Sequence, residues 1–137
     1  MNYQSNLKLA YYTDFDTFIN KFPIRAKKFV ETEMQFVLME MCSKYYYPRF
    51  FLSFPYDLDS KIHFCAIKET EDISPSGSVL MADNNGKLSA IGLMSFAMKK
   101  NKTDSFINNV TPFVFTKVEN YISWIKENTL DGQYCDN

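Results

Sequence analysis

A chain of 137 residues has the size of one domain and is long enough to bury a core unaided. Hydrophobic residues at 46% and charged residues at 23% exclude a disordered chain, and a net charge of −1 leaves no basic footprint for a nucleic acid or an anionic membrane. No apolar run has the length of a membrane span, and Met1-Asn2-Tyr3-Gln4-Ser5-Asn6-Leu7-Lys8 does not read as a signal peptide.

Aromatic residues reach 17%, which favours strands over a helical bundle. Leu9-Ala10-Tyr11-Tyr12 reads as a short strand, and residues 18–28, broken by Pro23, read as a loop. From Phe29 the chain alternates. Val30, Thr32, Met34 and Phe36 fall on one side, with Glu31, Glu33 and Gln35 on the other, the period of a half-buried strand. Residues 39–45 predict a short helix that stops before Pro48, followed by an aromatic-rich loop over 49–60.

Residues 61–67 predict another strand, and Val79-Leu80-Met81 a further one. Asn84-Asn85-Gly86 then reverses the chain, because Asn and Gly accept the positive φ of a two-residue hairpin turn, and residues 87–96 return. Near the end, Thr116 and Glu119 have capping-box spacing. Val118, Tyr121, Ile122 and Ile125 share one helical face, and Gly132 lies past the end. Many strands with one terminal helix predict an all-β fold, a barrel closed by a helix.

The order of parts carries more. A small turn, Ser74-Pro75-Ser76-Gly77-Ser78, opens onto Val79-Leu80, and the return strand holds Gly92 and ends in Ser95-Phe96-Ala97. The chain then closes on Pro112-Phe113-Val114-Phe115-Thr116-Lys117-Val118, Asn120-Tyr121 and Trp124-Ile125. This sequence of features resembles the C-terminal half of the trypsin/chymotrypsin-like serine protease family. There Gly-Asp-Ser-Gly-Gly-Pro-Leu carries the nucleophile, a strand ends in Ser-Trp-Gly, and Pro-Gly-Val-Tyr-Thr-Arg-Val precedes Asn-Tyr and Trp-Ile. The resemblance runs from about Leu7 to Thr129 and is strongest from Phe64 onward.

It implies the second of two six-stranded antiparallel barrels, with a short intermediate helix and a C-terminal α-helix. On this reading residues 1–137 form a single partial peptidase domain, with 130–137 a flexible tail. It also implies a secreted chain, in which the sequons at Asn101 and Asn109 become candidate glycosylation sites. Of the family's disulfides in this half, Cys42 and Cys65 match both ends of one, whereas the other two have lost both partners. A Cys42–Cys65 bridge is therefore expected, against a competing reading of two reduced, buried thiols. Cys135 is left free or pairs outside the chain.

For chemistry, the resemblance places Ser76 at the nucleophile position and the N–H groups of Ser74 and Ser76 at the oxyanion hole. Thr70 falls at the floor of the specificity pocket, and Ser95, Phe96 and Ala97 on the strand that pairs with extended peptides. The catalytic His and Asp of the family lie in the other barrel. The single histidine, His63, aligns with a non-catalytic position and reads as structural or surface. Pro75 replaces an aspartate whose carboxylate sets the oxyanion hole, and it has neither charge nor N–H. Ser78 and Val79 replace the next Gly and Pro.

The expectation is a serine protease homologue inactive in peptide-bond hydrolysis, acting by protein or peptide binding. Two alternatives stand beside it. One is an endopeptidase whose N-terminal barrel is missing or supplied by another chain; the other is an unrelated β-rich binding module. No cofactor or metal is expected, since Asp14-x-Asp16 and Asp57-x-Asp59 lack the further ligands of a calcium loop. A barrel without its mate is also expected to self-associate through its uncovered face.

Overall fold

A computed structural model of the chain describes residues 6–19, 21–53, 58–68, 76–97 and 111–134. Two long strands come first, β1 (Asn6–Ile19) and β2 (Phe22–Val37), antiparallel and in register from Leu7 opposite Met34 to Ile19 opposite Phe22. The loop expected over residues 18–28 is instead the tip of this hairpin. Counting outward from the two-residue turn, Pro23 opposite Phe18 falls at a non-hydrogen-bonded position. Its missing N–H therefore costs the ladder no donor. The alternation read from Phe29 is present: Met34 is buried, Val30, Thr32 and Phe36 half-buried, and Glu31, Glu33 and Gln35 exposed.

Helix α1 (Met39–Ser53) follows and runs through Pro48, where the sequence predicted a stop and a loop. Proline there removes one intrahelical donor, the one that would reach the carbonyl of Lys44, an exposed residue. The turns before it are held from outside the helix, by a disulfide at Cys42 and by the burial of Tyr45 and Tyr46. Tertiary packing overrides the local breaker.

Strands β3 (His63–Ile67), β4 (Val79–Asn84), β5 (Lys87–Phe96) and β6 (Phe113–Lys117) complete the sheet. The β4–β5 turn is the predicted one. Asn85 and Gly86 both have positive φ, 54° and 85°, and the Gly86 N–H donates to the Asp83 carboxylate at 2.8 Å. The order β1-β2-β3-β6-β5-β4 closes on itself, because Asn6–Ala10 of β1 also pair with Val79–Asp83 of β4. Among the described residues the fold is thus all-β, a closed six-stranded antiparallel barrel with two α-helices.

Alternation along the strands sorts residues between two cores. Leu7, Leu9, Tyr11, Met34, Phe64, Ala66, Leu80, Ala82, Ile91, Met94, Phe113 and Phe115 fill the barrel. On the outer side of β3 and β6, Cys65 and Val114 are covered by Cys42, Tyr45 and Tyr46 of α1. The Cys42–Cys65 disulfide ties helix to strand, and the Tyr46 hydroxyl donates to the buried Pro112 carbonyl. β3 is therefore buried on both faces, which explains its unbroken run Phe64-Cys65-Ala66.

The terminal segment departs from the sequence reading. Thr116 does not cap a helix. It is a strand residue, paired with His63 on one side and Leu93 on the other, and that double ladder holds it extended. A 3-10 turn (Val118–Tyr121) leads into α2 (Ile122–Asn128), which has no side-chain cap at its N-terminus and no buried residue. The face expected from Val118, Tyr121, Ile122 and Ile125 is not a buried face: Tyr121 and Ile122 are exposed, as is Trp124 at 63%.

Gly92 lies at a close point of the barrel wall. A Cβ there would meet Phe64 Cζ at 2.6 Å and Phe115 Cβ at 3.1 Å, and those two rings stack 5.5 Å apart. Gly92→Ala should lower stability by about 1–3 kcal/mol, the usual cost of overpacking, read as a fall in thermal midpoint. Breaking the staple with Cys42→Ser and Cys65→Ser together should cost about 3 kcal/mol, given a sequence separation of 23 between the half-cystines, in the same measurement.

Candidate functional site

Ser76 and Gly77 form a tight turn immediately before β4. Gly77 has φ of 84°, which a side chain at that position would oppose. The turn is fastened to β5 by two backbone bonds, Gly77 N–H to the Met94 carbonyl and Met94 N–H to the Ser78 carbonyl, both 2.8 Å. Ser76 itself is exposed, and its hydroxyl donates to the Ser95 carbonyl at 3.1 Å. The hydroxyl proton is thus directed at a backbone acceptor that cannot take it up.

The peptide-strand positions lie at the end of β5. The pairing of β5 with β6 shifts between Met94 and Phe96, so Ser95 sits in an irregularity of the ladder. Phe96 packs edge-on against Tyr46 with ring centroids 5.7 Å apart, and Ala97 packs against the barrel core. The Ser95 carbonyl accepts from Ser76. Ser74, Thr70, Asn101, Asn109 and Cys135 lie outside the described residues.

His63 opens β3, and β6 lies between it and β5. Two strand spacings, roughly 10 Å, therefore separate it from the strand that carries Ser95. Its ring faces a local task. Nδ1 accepts from the Asp59 N–H at 3.2 Å, and the His63 N–H donates to the Asp59 carbonyl at 2.7 Å. The Asp59 carboxylate in turn accepts from the Lys61 N–H at 2.9 Å. This turn is clamped by the end of the chain: the Lys117 ammonium donates to the Ser60 carbonyl and the Asn120 amide to the Lys61 carbonyl, each at 2.7 Å.

One buried polar residue has no counterpart in the sequence reading. Lys68, 2% exposed, ends the run after β3 and donates from its ammonium to the Tyr11 hydroxyl at 3.3 Å. The ammonium lies 4.6 Å from the centroid of Tyr11 and 5.2 Å from that of Phe113, a cation over aromatic faces. A lysine closing an apolar strand reads as its solvent end, so nothing in the sequence distinguished it.

Among the described residues no cluster of His, Cys, Asp and Glu could hold a metal ion, and no helix is long and apolar enough to cross a membrane. No protein-family model matches the chain, and no curated protein matches it either.

Burial lowers the His63 pKa below its ordinary 6.5, against the opposing pull of the Asp59 carboxylate. The folded state then favours the neutral ring, which accepts the Asp59 N–H, while the unfolded chain takes up a proton near pH 6.5. The stability His63 contributes is fully present above that pH and is lost as pH falls through the lowered folded value. His63→Asn, which keeps an acceptor in the Nδ1 position, should flatten the dependence of the unfolding midpoint between pH 7 and pH 5, as followed by denaturant titration.

Proposed function

We propose that this chain is a serine-protease-like half domain, related to the second barrel and C-terminal helix of the trypsin-like family. On this reading it is inactive in peptide-bond hydrolysis and works by binding a protein or peptide. The observation that carries the reading is Ser76: it stands on a tight turn that feeds a strand of a closed six-stranded barrel, ahead of a terminal helix. The Cys42–Cys65 bridge, which the resemblance implied, supports the same ancestry.

The surroundings of that serine support the inactive reading. Acyl transfer needs a base within hydrogen-bond reach of the hydroxyl and donors aimed at the developing oxyanion. The Ser76 hydroxyl donates to a carbonyl instead, and the only histidine of the chain is engaged by Asp59. Pro75, adjoining the serine, supplies neither a carboxylate nor an N–H. The ligand is a segment of protein or peptide, met at the Ser76–Ser95 edge, and the working environment is extracellular.

A second reading has its own support. Tyr121, Ile122 and Trp124 on the terminal segment are exposed, as is Leu130 at 94%, an apolar surface that a separately supplied N-terminal barrel would cover. In that case the chain is half of an endopeptidase, and the missing base arrives with the other half.

A fluorophosphonate probe separates the two. With the purified chain, intact-mass spectrometry should show no adduct, because an unactivated serine does not attack the phosphorus centre. Stoichiometric labelling that maps to Ser76 and disappears in Ser76→Ala would sink the inactive reading and favour the second.

A further inference from the structure

The long hairpin does more than close the barrel. Within the barrel, β1 pairs with β4 only over Asn6–Ala10, and β2 pairs with β3 only over Gln35–Val37. Beyond those points, from Tyr11 opposite Val30 to Ile19 opposite Phe22, the two strands pair with each other and, among the described residues, with nothing else. Tyr12, Phe22 and Phe29 on this arm are 60%, 72% and 52% exposed. A two-stranded ribbon in water is marginal on its own.

Two features of the arm point to its partner. The first is charge. The register sets Asp14 opposite Lys27, Asp16 opposite Arg25 and Thr13 opposite Lys28, so β1 contributes the acidic residues and β2 the basic ones. Pairing β1 with another β1, or β2 with another β2, brings like charges together. Pairing β1 with β2 brings opposite charges together, whichever molecule supplies the β2. The second is the tip. Only Asn20 and Lys21 connect Ile19 to Phe22, and Lys21 is held at φ of 68°, the left-handed region that a lysine adopts at a cost. Short connections under such strain favour exchange of the strand between molecules.

We propose that β1 exchanges between two copies of this chain. The tip straightens, Lys21 takes an extended φ, and β1 of each molecule completes the barrel of the other. Every β1–β2 and β1–β4 pair is then re-formed between chains, with Leu7, Leu9 and Tyr11 entering the partner's core. The Asp14–Lys27 and Asp16–Arg25 register fixes the alignment of the exchanged strand. This pairing is independent of whether the Ser76 turn descends from a protease.

The test uses the full chain in a Cys135→Ser background, with mass measured by light scattering after refolding over a range of protein concentrations. A dimer that grows with concentration is expected. Lys21→Gly, which accepts positive φ without strain, should lower the dimer association constant by roughly a hundredfold, because two tips straighten in each dimer. Lys21→Pro, which cannot adopt that φ, should raise it. As a direct readout, chains carrying Thr13→Cys and chains carrying Lys28→Cys are mixed, refolded together and oxidised. A covalent heterodimer on a non-reducing gel is expected, since only an exchanged strand places Thr13 of one copy opposite Lys28 of the other. A monomer at millimolar concentration, a dimer insensitive to both Lys21 substitutions, or a dimer that forms no such cross-link would each overturn the proposal.

Discussion

Closure of the sheet through β1 and β4 is the constraint on which the molecule depends. Five ladder positions, Asn6–Ala10 against Val79–Asp83, turn an open sheet with two free edges into a barrel with an enclosed core. Leu9 and Leu80 pair across that seam and are fully buried, so the seam is held by apolar packing as well as by the ladder. Lys8 and Asp83 add a partly exposed ion pair at 3.6 Å, which contributes little beside the backbone bonds and the apolar contact. The turn at Ser76 and Gly77 enters β4 directly beneath this seam, and so a well-anchored strand places an exposed hydroxyl at the surface.

That placement gives the serine a defined hydrogen-bond partner. A hydroxyl becomes a nucleophile when its proton points at a base, and here it points at a carbonyl that belongs to a barrel strand. The same hydrogen bond fastens the turn to β5 alongside the two backbone bonds at Gly77 and Met94. The hydroxyl thus helps to hold the bend. His63 is treated alike: its ring organises the Asp59–His63 turn, against which the 3-10 segment is clamped by Lys117 and Asn120.

Much of the barrel was legible in the sequence because its signals are local. The Asn85-Gly86 turn, the period-two alternation through Met34 and the short apolar runs at Phe64 and Val79 all act within a few residues. The misreadings share one cause, pairing or packing with distant parts of the chain. Pro23 falls on the silent side of a ladder whose register is invisible locally, and Pro48 is carried by a helix whose first turns are held by Cys65 and Val114. Thr116 and Glu119 have the right spacing for a cap, yet Thr116 is claimed by strands from two other regions. At the site, the position of Ser76 on a turn could be anticipated. The acceptor of its proton could not, since Ser95 lies nineteen residues away and meets it only through the β4–β5 register.

The helix-to-strand staple has one more consequence. Cys42 and Cys65 enclose most of α1 and the Asp59–His63 turn in a covalent ring. A backbone cut anywhere between them leaves both pieces joined, so clipped molecules migrate as intact ones until a reductant is added. Integrity of a preparation is therefore visible only under reducing conditions, and a nicked loop in this ring can persist in an otherwise native barrel.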